Sequence, residues 1–371
     1  MSQEHGSSIH QLASVPTHQF LRILLVRLRL IGDVILTTPA IRGIRQAFPD
    51  ARLTYLVEPL SAPIVRHNPH LDEVIVAAAP DAPRRLRNDL RLAIDLRRRR
   101  FDVAIDFHGG PRSSWLTWAS RARQRIGYEV AGRAWMYTTR VPRTRQLRPR
   151  HTVDNQWDLL EPLGIPRPAR NTHPTEFVPD AGAAAAVDGW LRHAGVVPDD
   201  RLVLVHVGAR IRFRRWPPER FAETIAAIAQ ADRRTRFVVV AGPGEDTAER
   251  VVREARGRLD PPLGLAVLDS RTWTLDELQA LAARAALYIG CDTGPLHIAG
   301  TTTVPIVGLY GPTLSETWAP WRPPGALVIP LTVDGLPCRP CDQRVCEPGD
   351  FRCLNWIRPE QVLEAAIKCL P

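Results

Sequence analysis

The chain has 371 residues, 44% of them hydrophobic and 24% charged, with a net charge of +10 and a pI near 10.0. That length exceeds one ordinary core and predicts two domains, and the balance of apolar and charged residues excludes a disordered chain. No apolar run approaches the roughly 18 to 20 residues of a membrane span, and the first residues lack a charged-then-apolar leader pattern, so a cytoplasmic protein is expected.

In chain order, residues 1–18 are polar and read as a disordered tail. The first strong element is residues 21–28 (LRILLVRL), a short apolar run with the length of a buried parallel strand. It leads through Gly32 and Asp33 into a helical pattern over 34–47, and strand, glycine-containing loop and helix together open a Rossmann-like unit. Further strands are expected at 53–57, 73–77 and 103–107. Between the last two, the Arg-rich segment 84–100 sets Leu86, Leu90, Ala93, Ile94 and Leu96 near one helical stripe, with its arginines outward. After prolines at 166, 168 and 174 comes a helix over 181–190. A second series of short apolar strands follows at 202–207, 237–241, 265–268, 286–289 and 304–310, with helices over 218–231 and 275–285. Such alternation predicts a parallel sheet covered on both faces. The expected architecture is α/β: an N-terminal Rossmann-like domain over 19–175 and a C-terminal one over 176–371, facing each other across a cleft. Ligands bind such sheets at the carboxyl ends of strands.

Five loops at such ends carry chemistry. In Gly290-Cys291-Asp292-Thr293-Gly294-Pro295-Leu296-His297, a strand ends and a helix begins with Pro295 in its first turn, a geometry that suits a diphosphate. Thr293 adds a hydroxyl, Gly294 permits close approach, and His297 lies within reach of the same anion; Asp292 or Thr293 merely capping the helix is the alternative. The stretch from His206 to Pro217 places cations beyond another strand, where they would neutralise a leaving phosphate. Lys368 is the sole lysine, however, so nearly all 49 basic residues are arginine and any single one says less than usual. The loop from Gly242 to Asp246 offers carboxylates for ribose hydroxyls, or is a plain turn. In the first domain Asp33 stands where a general base would, but from the residues alone capping of its own helix ranks first and would weaken it as a base. His108 to Ser113 follows the strand at 103–107 and includes Arg112.

Cys338, Cys341, Cys346 and Cys353 cluster near the carboxyl end. In a reducing compartment this spacing suits a structural zinc site better than disulfides; an iron–sulfur cluster and free thiols are the alternatives.

Three stretches, LLVRLRLIGDVILTTPAIRGIRQAFPDARLTYLVEP, FRRWPPERFAE and GCDTGPLHIAGTTTVPIVGLYGPT, together resemble glycosyltransferase family nine, the lipopolysaccharide heptosyltransferases, over about residues 21 to 368. The resemblance implies the GT-B arrangement of two facing Rossmann-like domains, the first binding acceptor and the second a nucleotide-sugar donor. It implies inverting transfer of a heptose from ADP-heptose to a lipopolysaccharide core, with no metal or other cofactor needed for catalysis. Asp33 is then the general base. Thr293, Gly294 and His297 hold the donor diphosphate, and Asp292 contacts the donor sugar. Arg214 stands where the family carries a lysine, replacing a point charge by a fork. Glu245 corresponds to the residue that meets the ribose and Trp273 to one near the base, while Arg112 is a candidate for an acceptor phosphate. Similar cysteines occur in the family. The implied partners are the nucleotide-sugar donor, a lipid-linked oligosaccharide and, through the basic charge, the anionic inner leaflet of the cytoplasmic membrane, not nucleic acid.

Readings of other kinds fit less well. A dinucleotide-dependent oxidoreductase needs a G-x-G-x-x-G turn after the first strand, and residues 29–33 contain only Gly32. A non-catalytic sugar-nucleotide module has no use for Asp33, and a redox or metal-storage protein leaves both expected sheets unexplained. Another nucleotide sugar and another cell-surface glycan stay open within the transferase reading.

Overall fold

The computed structural model describes residues 21–143, 150–168 and 172–370; the expected tail at 1–18 lies outside them. The chain divides into two compact units, Met1–Val178 and Pro179–Pro371. The boundary expected between 175 and 176 thus falls between Val178 and Pro179. Glu176 holds the intervening residues to the first unit: its amide donates to Thr38 Oγ1 at 2.9 Å and its carboxylate pairs with Arg42.

In the first unit six strands form one parallel sheet: β1 (Arg22–Val26), β2 (Arg52–Val57), β3 (Glu73–Val76), β4 (Val103–Asp106), β5 (Gln124–Tyr128) and β6 (Thr139–Val141), in the order β3-β2-β1-β4-β5-β6. Ile23, Leu24, Leu25 and Val26 of the central β1 are wholly buried. A strand covered on both faces needs apolar side chains at every position, which is why this run reads as continuous rather than alternating. β5 and β6 were not anticipated. Both carry arginine or glycine among few apolar residues, and β6 spans only three positions at the sheet edge.

The helix expected over 34–47 is two helices, Ile31–Ile35 and Thr38–Ala47. Pro39 lacks an N–H and its ring collides with the preceding turn, so one helix cannot continue through it. The hydroxyls of Thr37 and Thr38 donate to the carbonyls of Val34 and Ile35 at 2.6 and 2.7 Å, satisfying groups the break leaves open.

The helix Arg85–Arg98 forms as expected, but its stripe divides. Ala93 and Leu96 join the core with Leu24, Leu56, Phe101 and Leu116, whereas Leu86, Leu90 and Ile94 face solvent. At 100° per residue, positions 86, 90 and 94 are centred about 90° around the helix from 93 and 96, and Leu86, which points nearly the same way as Ala93, is exposed in the first turn.

The second unit has β7 (Arg201–His206), β8 (Thr235–Val240), β9 (Leu287–Cys291), β10 (Ile306–Tyr310) and β11 (Val328–Thr332), all parallel, in the order β11-β10-β9-β7-β8. The strand expected at 265–268 is reduced to one bridging residue, Val267, opposite Phe237. The short helix Pro261–Gly264 ends immediately before it, leaving no length for a ladder. With Val267 counted as a vestigial third strand, both sheets share one order, and the carboxyl ends of β1 and β7 occupy equivalent central places. Helices Pro218–Ala231, Thr247–Gly257 and Pro359–Cys369 pack on the second sheet through Phe221, Ile225, Val251, Val362 and Ala366.

Candidate active site

At the carboxyl end of β1, Asp33 is the third residue of the helix Ile31–Ile35, so its side chain turns back on the helix start. Oδ2 accepts from the Leu30 amide at 3.2 Å, while Oδ1 pairs with Arg27 Nη2 at 2.7 Å. Arg27 Nη1 in turn donates to the Phe107 carbonyl at 2.5 Å, tying the end of β1 to the end of β4. The carboxylate therefore caps its helix and also pairs with a cation. His108, beside this pair, is pushed down to about 4 by burial and then by Arg27, so it stands neutral at physiological pH.

Next to this loop lies a pocket of about 580 Å³ whose wall includes Arg29, Arg85, Leu86, Leu90, His108 and Trp115. Arg112 also borders it, but its guanidinium is committed elsewhere. Nε and Nη2 donate to Asp89 at 3.1 and 2.6 Å, Nη1 to Glu58 at 2.8 Å, and Nη2 also to the Ala78 carbonyl at 2.9 Å. Asp89 and Glu58 are both buried, so Arg112 is the counter-ion that makes their burial tolerable. As placed, it offers an acceptor phosphate no free fork; Arg29 and Arg85 are the other cations on this wall.

In the second unit, β9 ends at Cys291 and the seven-residue helix Gly294–Gly300 follows, with Thr293 at its cap and Pro295 in its first turn. Asp292, 2% exposed, accepts at Oδ2 from Thr313 Oγ1 at 2.6 Å. Its Oδ1 is buried without a hydrogen bond, and so is Nδ1 of the buried His297, whose Nε2 stands 3.7 Å from that oxygen. Arg214 reaches the same residue: Nη1 donates to the Asp292 carbonyl at 3.1 Å and lies 3.5 Å from Oδ2. Thr293 Oγ1 is 3.5 Å from His206 Nδ1 at the end of β7, and burial pushes that imidazole down to about 4. Asp292, Thr293, His297 and Arg214 are thus brought together, with Gly294 opening the helix. Buried polar atoms without partners are uncommon in folded proteins and cost free energy, so this group has bonding capacity to spare for a ligand. Cys291, beside it, is pushed up to about 12 by burial and is no nucleophile.

Glu245 lies over the end of β7, where a Cβ on Gly208 would come within 2.6 Å of its Oε2 and 2.9 Å of the Gly242 amide. Only glycine at 208 leaves room for this carboxylate. Trp273 packs edge-on against Trp190 at 4.9 Å under the Arg271 guanidinium at 3.9 Å, and its Nε1 is buried without a partner. Among the described residues no hydrogen bond or ion pair joins Trp273 to the Asp292 group.

The cysteine segment approaches this group from another side. Gln343 accepts from Arg214 Nε at 2.8 Å, and Arg339 donates to the Thr313 carbonyl at 2.8 Å. The four thiols border one pocket of about 480 Å³, and Cys353 is pushed up to about 11 by burial and by Cys341, Cys346 and Cys338. They share a space, yet among the described residues no three His, Cys, Asp or Glu side chains gather as a metal-binding group. The thiols as placed do not form a zinc sphere. Arg27, Thr313 and Gln343 were not anticipated. Arg27 is one arginine among many, and Gln343 meets Arg214 from 129 positions away in the chain, where no local pattern points to it.

Comparison with known proteins identifies the family. Residues 90–349 match the family described as glycosyltransferase family 9 (heptosyltransferase). Lipopolysaccharide heptosyltransferase 3 of Escherichia coli (strain K12) is 30% identical over 300 residues, covering 78% of this chain and 82% of that protein. A glycosyl transferase family 9 structure from Veillonella parvula DSM 2008 superposes with a TM-score of 0.81 at 25% identity, over 94% of this chain and 97% of that one. The structure of E. coli ADP-heptose lps heptosyltransferase II gives 0.72 at 17% identity, over 94% and 98%. The α/β fold is that of the GT-B class, with two Rossmann-like units of parallel sheets, and the chain belongs to glycosyltransferase family 9 and is a glycosyltransferase.

Proposed function

We propose that this enzyme transfers a heptose from ADP-heptose to a lipopolysaccharide core acceptor, with inversion at the anomeric carbon and without a catalytic metal. The observation that carries the donor half is the buried Asp292–His297 group, with two unsatisfied polar atoms beside the Arg214 guanidinium. Arg214, Thr293, Gly294 and His297 hold the diphosphate; Asp292 meets the sugar, Glu245 the ribose and Trp273 the surroundings of the base. Asp33 takes the proton of the acceptor hydroxyl, whose oxygen bonds to the anomeric carbon as the bond to the nucleotide breaks and ADP leaves. Arg27 holds the Asp33 carboxylate in position for that step. Arg214 offsets the charge that develops on the leaving diphosphate, the task a divalent cation performs elsewhere.

The acceptor half of this reading uses the pocket at Arg29 and Trp115, with Arg112 placed to shape its wall through Asp89 and Glu58. The acceptor is lipid-linked, the enzyme works in the cytoplasm against the anionic inner leaflet, and no helix among the described residues is long and apolar enough to cross a membrane. Zinc on Cys338, Cys341, Cys346 and Cys353 would be structural, and it would require those loops to close further; metal analysis of protein purified without oxygen decides it.

Thermal unfolding in the presence of a panel of nucleotide sugars tests the donor. ADP-heptose at 100 times its Kd is expected to add about 2.7 kcal/mol of stability, with UDP- and GDP-sugars adding little. Stabilisation by a UDP- or GDP-sugar and none by ADP-heptose would replace this donor with another.

A further inference from the structure

We propose that the helix Arg85–Arg98 is an in-plane anchor that docks the first unit on the surface of an anionic lipid bilayer. The proposal rests on the lipid-linked acceptor of the preceding reading and names the surface that meets the membrane.

Leu86, Leu90 and Ile94, spaced four residues apart on one side of the helix, are 72, 57 and 53% exposed. Their exposure is not a failure of core packing, because Ala93 and Leu96 already bury the helix against the sheet. The helix therefore carries an apolar stripe beyond its core contacts, and among the described residues nothing covers it. Arg87, Arg91 and Arg98 are exposed along one edge of this ridge, and Arg84, Arg85 and Arg97 are exposed near its ends. The acids of the helix are paired: Asp89 is buried against Arg112, and the half-exposed Asp95 is held by Arg99 at 2.7 Å.

Leucines flanked by arginines with no free carboxylate fit an interface with apolar chains below and anionic headgroups beside them. A second copy of the chain would bring arginine against arginine, and nucleic acid would leave the leucines without a partner. Leu86 and Leu90 also border the pocket that holds Arg29, so the ridge runs from that pocket to the outer surface. A lipid-linked acceptor seated there would keep its acyl part toward the bilayer.

The test is co-sedimentation of the full chain with phosphatidylcholine vesicles, with and without phosphatidylglycerol, at low and high salt. Wild type is expected on the anionic vesicles at low salt and off the neutral ones. R87Q/R91Q/R98Q should partition on the order of 100-fold more weakly, about fivefold for each charge near an anionic surface. I94D should also lose partitioning by about tenfold, since it removes buried apolar area and adds a repelled charge. A matched removal of charge in the second unit, R233Q/R253Q/R258Q, should change little. Wild type that ignores anionic vesicles, helix variants that bind like wild type, or an equal loss in the second-unit control would each overturn the proposal. Transfer to a deacylated, water-soluble acceptor is measured alongside and should be unchanged in the helix variants. Vesicle binding without any such transfer by wild type would leave the anchor standing and remove the transferase reading on which it was placed.

Discussion

The two units share a strand order but furnish their strand ends in opposite ways. In the first, the charges are closed on one another at short range: Arg27 with Asp33 at 2.7 Å, and Arg112 with Asp89 at 2.6 Å and Glu58 at 2.8 Å. In the second, the central carboxylate has looser ionic neighbours, Arg214 at 3.5 Å and His297 at 3.7 Å, and one of its own oxygens is left unbonded. Tight pairs set a loop before anything binds, so the side chain that handles a proton is already aimed. Loose pairs leave capacity for a ligand that brings its own charge, as a diphosphate does. A proton acceptor gains from being fixed, and an anion site gains from being incomplete.

The largest expected effect breaks the comparison on the tight side. Asp33→Asn keeps the shape and the helix contact but loses the charge that pairs with Arg27. Transfer is expected to fall roughly 100- to 10,000-fold while donor binding, read by calorimetry, is retained. Transfer near the wild-type rate would take Asp33 out of the chemistry.

Next in size is the clamp behind the pocket. Arg112→Met strands two buried carboxylates, and the first unit should lose about 3 to 5 kcal/mol in urea unfolding. Adding Asp89→Asn and Glu58→Gln should restore part of it, because an uncharged group is cheaper to bury than an unpaired ion. An unchanged urea midpoint in Arg112→Met would mean that these pairs do not set the first unit.

The smallest effect sharpens the loose side. His206 falls from an ordinary value of 6.5 to about 4 because burial disfavours its cation. The unfolded chain binds the proton more readily, so the stability of the second unit is fully present above about pH 6.5 and is lost as pH falls toward 4. The shift corresponds to on the order of 3 kcal/mol, measurable as the drop in the urea midpoint over that window. His206→Asn should flatten the dependence, and a midpoint independent of pH in wild type would show that this imidazole is solvated.

Much of the fold was legible because central parallel strands announce themselves: β1 and β7 are apolar apart from polar end residues, β10 is apolar throughout, and helical patterns separate them. β5, β6 and β11 were not, since burial there is partial and composition is mixed. The donor loop was legible for a similar reason, a glycine, a proline and hydroxyl or imidazole groups compressed into a few positions. Arg112 shows the limit. Its place after a strand was readable, but its commitment to Asp89 and Glu58 depends on residues 23 and 54 positions away.

By itself the sequence determined the alternation of strand and helix, the two Rossmann-like units and the residue types at the ends of their strands, because these follow from local periodicity and turn chemistry. Only the tertiary structure decided which charges are closed and which left open, which side of the helix Arg85–Arg98 meets water, and that Gln343 and Thr313 stand behind Arg214 and Asp292. Those outcomes depend on distances between residues far apart in the chain, and hydrophobic periodicity carries no information about them.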